Sequence, residues 1–177
     1  IAAGVATIHQ ATERVGAAGL SVAETLLLDR FADGRSGFFV SPRAIRAEAG
    51  KIAAASGFDL PLDRDFGDIG AAERQLVAIA RALMTDAEIL VLDEPTASLD
   101  ATETARLLDI VRDLRSQGLA IIFISHFLDQ VYAIADRLTV LRNGRRVGVG
   151  TPAEIPLGKL VPLMLGRELA AVDRAPP

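Results

Sequence analysis

Two successive carboxylates, Asp93 and Glu94, follow a run of four apolar residues, Ile89, Leu90, Val91 and Leu92, and Pro95 and Thr96 come next. A short apolar run bounded by polar residues reads as a strand buried on both faces of a parallel sheet. In open parallel sheets, ligands bind at the C-terminal ends of the strands. A first carboxylate there can hold Mg2+, directly or through water, because the ion is hard and takes oxygen ligands. A second can orient and deprotonate a water that attacks a phosphoryl group. Taken alone, the same residues would serve equally well as a polar strand end followed by a turn. His126 supplies a third group, two residues beyond the apolar run Leu119 to Ile124, which reads as a second buried strand. A histidine after a strand is most often a satisfied loop residue. Here, neighbouring parallel strands would bring it to the sheet edge that carries Glu94.

The elements around these residues must do the positioning. Between the two strands, Asp100 and Glu103 have the spacing of a helix cap, Leu107, Leu108, Val111 and Leu114 form a core face, and Gly118 stops the helix. Strand, helix, strand is a βαβ unit, which demands parallel pairing. Upstream, Val5 to Ile8 reads as a short strand ending at the polar pair His9 and Gln10. Ser21 and Glu24 form a capping box, and Ser41 with Pro42 opens a second helix that Ser56 and Gly57 close. A further helix starts near Ala71, with Leu76, Val77, Ala80 and Leu83 on one face. Beyond His126 a helix near Asp129 to Ala135 leads to a hairpin turning at Asn143 and Gly144, then to a short helix and a tail.

Composition narrows the classes. Half the residues are hydrophobic and a quarter charged, which describes a folded, water-soluble chain. With no Trp and one Tyr, the core must be aliphatic. The net charge of −4 and scattered Lys and Arg argue against a nucleic-acid partner. No cysteine is present, so disulfides and thiolate metal sites are excluded. No apolar run approaches the ~20 residues that span a bilayer.

Leu90 to Thr96 (Leu-Val-Leu-Asp-Glu-Pro-Thr), then Ser98-Leu99-Asp100, then Ile124-Ser125-His126, resemble the Walker B motif, D-loop and H-loop of ATP-binding cassette proteins. His9-Gln10 after a strand looks like the Q-loop, and the stretch before Leu76 looks like the signature region. The motifs keep the family's order from about Ala6 to Leu169. The ending, Leu163 to Leu169, is similar to the exit of the first cassette in tandem ATPases of ribose, xylose and galactose importers.

The resemblance implies an α/β fold: a partial P-loop NTPase (RecA-like) parallel-sheet core at 1–16 and 84–150, a helical subdomain at 17–83, and a C-terminal helix and linker at 151–177. It implies ATP and Mg2+ as ligands, with Asp93 and Gln10 on the metal, Glu94 polarising the attacking water and His126 on the γ-phosphate. Gly70, Ala71, Ala72 and Glu73 would face the nucleotide of an opposing cassette, and Asp100 would lie at that interface. The implied partners are a second cassette, transmembrane permease subunits and, indirectly, a periplasmic solute-binding protein. The implied place is the cytoplasmic face of the membrane, and the implied cargo is a monosaccharide. A cassette ATPase serving ribosomes or DNA would share these motifs but should add basic arms or coiled-coil insertions. An inert interaction fragment is the third alternative.

Two departures matter. No Gly-x-x-x-x-Gly-Lys-Ser/Thr occurs in the 177 residues. In the family that loop lies upstream of the Q-loop, so the chain is expected to be a truncated cassette that binds ATP very weakly alone and hydrolyses it negligibly. The usual Leu-Ser-Gly-Gly-Gln signature aligns with Ile69-Gly70-Ala71-Ala72-Glu73. Gly70 lacks the hydroxyl donor, the two alanines add methyls, and Glu73 adds a charge. Like charges about 4 Å apart repel by ~4 kcal/mol at an effective dielectric near 20. The signature is therefore expected to serve a partner's phosphate poorly, although Glu73 would also cap its own helix.

Overall fold

A computed structural model describes residues 4–9, 15–32, 41–85 and 87–166. Contacts divide the chain into two compact units, one ending at His126 and the other starting at Phe127. In the second unit the hairpin and the last helix close a core of their own.

In the first unit, β1 (Val5–Ile8), β2 (Ile89–Asp93) and β3 (Ala120–Ile124) form a parallel sheet in the order β1-β2-β3. Ala6 pairs with Leu90 and Leu90 with Ile121; two residues on, Ile8 pairs with Leu92 and Leu92 with Phe123. These rows share one face, because side chains alternate along a strand. Ala6, Ile8, Leu90 and Leu92 are buried there.

The opposite face corrects an expectation. β2 is only half-buried at Ile89 and Val91, and β3 is not a buried strand. Ile122 is 50% exposed and Ile124 46%. An apolar run records that a strand can be covered on both faces, not that both covers are present.

The helices form where their caps predict. Ser21 Oγ and N–H both donate to Glu24 Oε2 at 2.7 Å, opening α1 (Val22–Ala32). Ser41 caps α2 (Pro42–Ser56), which ends on Gly57 in the left-handed conformation that glycine adopts without strain. α3 (Ala71–Leu83) buries Leu76 to Ala80, and α4 (Ala101–Ser116) buries Leu107, Leu108, Val111 and Leu114. Each buried Leu, Ile or Val among them contributes about 1.5–3 kcal/mol relative to exposure.

In the second unit, α5 (Leu128–Ile134) precedes an antiparallel hairpin of β4 (Leu138–Arg142) and β5 (Arg145–Gly150), followed by α6 (Leu157–Leu165). Asn143 and Gly144 both have positive φ, as their two-residue turn requires. Leu138, Val140, Ile155 and Leu160 make the core of this unit. Among the described residues no helix is long and apolar enough to cross a membrane.

Candidate functional site

The C-terminal edge of the parallel sheet gathers four polar side chains from three strand ends. Asp93 closes β2 in register with Ile124 of β3, and its side chain is 41% exposed. Glu94 takes one step beyond the ladder, and its N–H donates to the Ile124 carbonyl at 2.9 Å. It does so with φ of 49°, one of two non-glycine residues described with positive φ. That conformation costs of order 1–3 kcal/mol, and it ends the in-and-out alternation of the strand. The Ala97 N–H closes the turn by donating to the Glu94 carbonyl, and Thr96 within it is buried.

The turned side chain reaches β3. Glu94 Oε1 lies 2.8 Å from His126 Nδ1, although 32 residues separate them in sequence. A carboxylate only accepts, so the proton of that bond sits on Nδ1. Glu94 Oε2 is buried and has no hydrogen-bond partner, a costly state for a carboxylate oxygen unless a ligand completes it. On the other side of β2, His9 Nδ1 lies 3.8 Å from Asp93 Oδ2.

The donor set suits a hard divalent cation. Among the described residues, no group of three or more His, Asp or Glu could enclose a metal ion unaided. One or two carboxylates beside a phosphate-bearing ligand are what Mg2+ uses, its remaining positions going to water and phosphate. Asp93 supplies that chemistry, and the orphaned Glu94 oxygen lies one residue further on.

The other predicted residues lie apart from this edge. Gln10 falls outside the described residues. Gly70 is the N-cap of α3, Ala71 and Ala72 begin the helix, and Glu73 Oε2 accepts the Gly70 N–H at 2.8 Å. Since Gly70 has no side chain, only this return half of a capping box can form. Arg64 Nη1 stands 3.6 Å from the same oxygen, a neighbour that the sequence reading missed. Asp100 is the N-cap of α4, accepting from the Glu103 N–H at 2.8 Å while Glu103 accepts the Asp100 N–H at 3.0 Å. The first turns of α3 and α4 line one hollow of about 390 Å3 through Ala72, Glu73, Leu99 and Glu103.

The segment after Gln10 is tied to the segment before Gly70. The Gly19 N–H donates to Asp65 Oδ2 at 2.8 Å, Phe66 N–H to the Leu20 carbonyl at 2.8 Å, and Gly67 N–H to Asp65 Oδ1 at 2.7 Å. Arg81 adds a clasp, donating to the Val15 carbonyl and, at 2.7 Å, to Asp29 Oδ2.

The chain is similar to known proteins along most of its length. A profile of the ABC transporter family matches residues 3–97. The ribose import ATP-binding protein RbsA 3 of Rubrobacter xylanophilus is 44% identical over 166 residues, covering 94% of this chain and 33% of that protein. The galactofuranose transporter ATP-binding protein YtfR of Escherichia coli is 40% identical over 166 residues, covering 94% of this chain and 32% of that protein. The chain thus spans about a third of the length of the curated relatives it matches. Among solved structures, cbiO1 from Clostridium perfringens, part of the transporter complex cbiONQ, superposes with a TM-score of 0.71 at 23% identity, covering 89% of this chain and 61% of that one. The ADP- and phosphate-bound dimer of the cassette MJ0796 gives 0.64 at 19% identity, covering 83% and 62%. These likenesses identify the fold as the α/β core of P-loop NTPases.

Proposed function

The chain belongs to the ABC transporter family, and on that premise we propose that it carries the water-activating half of an ATP site that drives import of a monosaccharide. One observation carries the reading: the 2.8 Å contact that joins Glu94 to His126 across two strand ends, one residue past Asp93. Asp93 holds the cation. Gln10, whose type and sequence position suit an oxygen ligand, shares that task. Glu94 accepts a proton from water as the water oxygen attacks the terminal phosphorus and the bridging P–O bond to the β-phosphate breaks, releasing ADP and phosphate, and its bond to His126 fixes which way the carboxylate faces. His126 contacts the terminal phosphate and holds the attacking geometry. Mg2+, when bound, neutralises charge on the bridging and terminal phosphate oxygens.

The monosaccharide follows from relatives named for ribose import and for galactofuranose transport. Their names, and a solved cassette that is part of a transporter complex, support permease subunits as partners at the cytoplasmic face of the membrane, with a solute-binding protein upstream. The dimeric cassette supports a second cassette as the facing partner. Toward that partner this chain offers a spoiled surface. The Glu73 carboxylate already accepts a helix-terminal N–H where an anion would bind, and Gly70 offers no hydroxyl. One ATP site of the pair then turns over while the other holds its nucleotide.

The test is Glu94→Gln in the full-length protein, read by phosphate release and by equilibrium ATP binding. Hydrolysis is expected to fall about 10²–10⁴-fold with binding retained. An unchanged rate overturns the assignment. Single-turnover hydrolysis shared equally between the two sites overturns the asymmetry.

A further inference from the structure

The chain has two histidines, and both stand at the same sheet edge beside one of the two successive carboxylates. The His126–Glu94 pair is taken up by the hydrolytic reading; His9 is not. Ile8 and Leu92 are paired in register on neighbouring parallel strands, so His9 and Asp93 leave those strands abreast. Strands run ~4.8 Å apart, within reach of an imidazole and a carboxylate side by side. Nδ1 of His9 is 3.8 Å from Oδ2 of Asp93, about 0.8 Å beyond an ordinary hydrogen bond. The His9 side chain is 74% exposed, so a small rotation of its ring closes the gap without displacing packed neighbours.

We infer that His9 is a positioning residue for Asp93: its Nδ1–H takes one carboxylate oxygen and leaves the other aimed at the cation. The inference rests on Asp93 being the cation ligand proposed above. A carboxylate that must bind an ion through one oxygen benefits when the other is held, since rotation about its terminal bond would otherwise spoil the aim. Outer-shell donors of this kind typically change metal affinity 10–100-fold when removed. The uncharged ring suffices, because the contact needs only an N–H donor. A neutral amide should replace it.

The experiment uses the full-length protein with a fluorescent ATP analogue and titrates Mg2+ at fixed analogue concentration. His9→Ala is expected to raise the half-saturating Mg2+ concentration about 10-fold or more. Binding of the analogue without Mg2+ and the thermal midpoint should both stay at wild-type values, because the side chain packs against little. His9→Asn, whose amide nitrogen can take the place of Nδ1, should restore Mg2+ dependence to within a few-fold of wild type. Equal Mg2+ dependence in wild type and His9→Ala overturns the inference, as does His9→Asn behaving like His9→Ala. A wild-type protein whose nucleotide binding ignores Mg2+ removes Asp93 as a ligand and takes the inference with it, a result distinct from either of the others.

Discussion

Gly16 and Gly50 should respond to the same substitution with opposite signs. A Cβ built on Gly16 would stand 2.7 Å from Thr25 Cγ2 and 2.8 Å from Phe66 Cδ1, whereas ordinary contact begins at 3.4 Å. Both neighbours lie in the interior, Thr25 at 0% and Phe66 at 2% exposure, so neither can swing into solvent. Gly16 does not have a positive φ, and the penalty is therefore steric. Overpacking of this kind costs about 1–3 kcal/mol, against which alanine's reduced freedom in the unfolded chain returns ~0.5 kcal/mol. Gly50 sits inside α2 with nothing within 4 Å of the added methyl, and there alanine gains about 0.5–1 kcal/mol of helix propensity. Urea unfolding monitored by circular dichroism would separate the two. With a slope of about 2 kcal/mol per molar, the Gly16→Ala midpoint should fall by about 0.25–1.25 M and the Gly50→Ala midpoint should rise by about 0.25–0.5 M. A Gly16→Ala midpoint at or above wild type would refute the claim that the chain is pressed against Phe66 there. Because that contact ties the stretch after Gln10 to the approach to Gly70, the same variant should also weaken ATP turnover in the full-length protein.

Two further outcomes follow from the caps. Asp100→Ala should cost about 1 kcal/mol by removing the acceptor for the Glu103 N–H, while Asp100→Asn, which keeps an acceptor oxygen, should cost clearly less in the same unfolding experiment. The Ser21 hydroxyl, and then its N–H, hold the Glu24 carboxyl below its ordinary value of 4.5. A lowered native value means the carboxylate's contribution is complete above pH 4.5 and drains away as pH falls through that lowered value. The stability gap between wild type and Glu24→Gln should therefore be constant near neutrality and close on acidification; a gap that widens in acid would contradict the hydrogen bonds.

What could be read beforehand was local. Ser21 with Glu24, Ser41 with Pro42, and Asp100 with Glu103 announce helix starts through side chains three residues from the groups they satisfy, and the helices begin there. The meeting of Glu94 and His126 was legible because a single crossover joins their strands. His9 beside Asp93 was not, since it depends on the register of β1 against a strand more than eighty residues later. Arg64 beside Glu73 escaped for a similar reason: the chain between them folds through a 3-10 turn at Phe66–Asp68 that no periodicity reveals. The exposure of Ile122 and Ile124 escaped because hydropathy describes a strand's preference and not its surroundings.

Those two isoleucines have a practical consequence. Water-facing oily side chains on the last strand of a sheet make an adhesive surface that works between molecules as readily as within one. Purified by itself at high concentration, this polypeptide should be limited by clumping before unfolding, and its solubility should improve on replacing Ile122 and Ile124 with threonine.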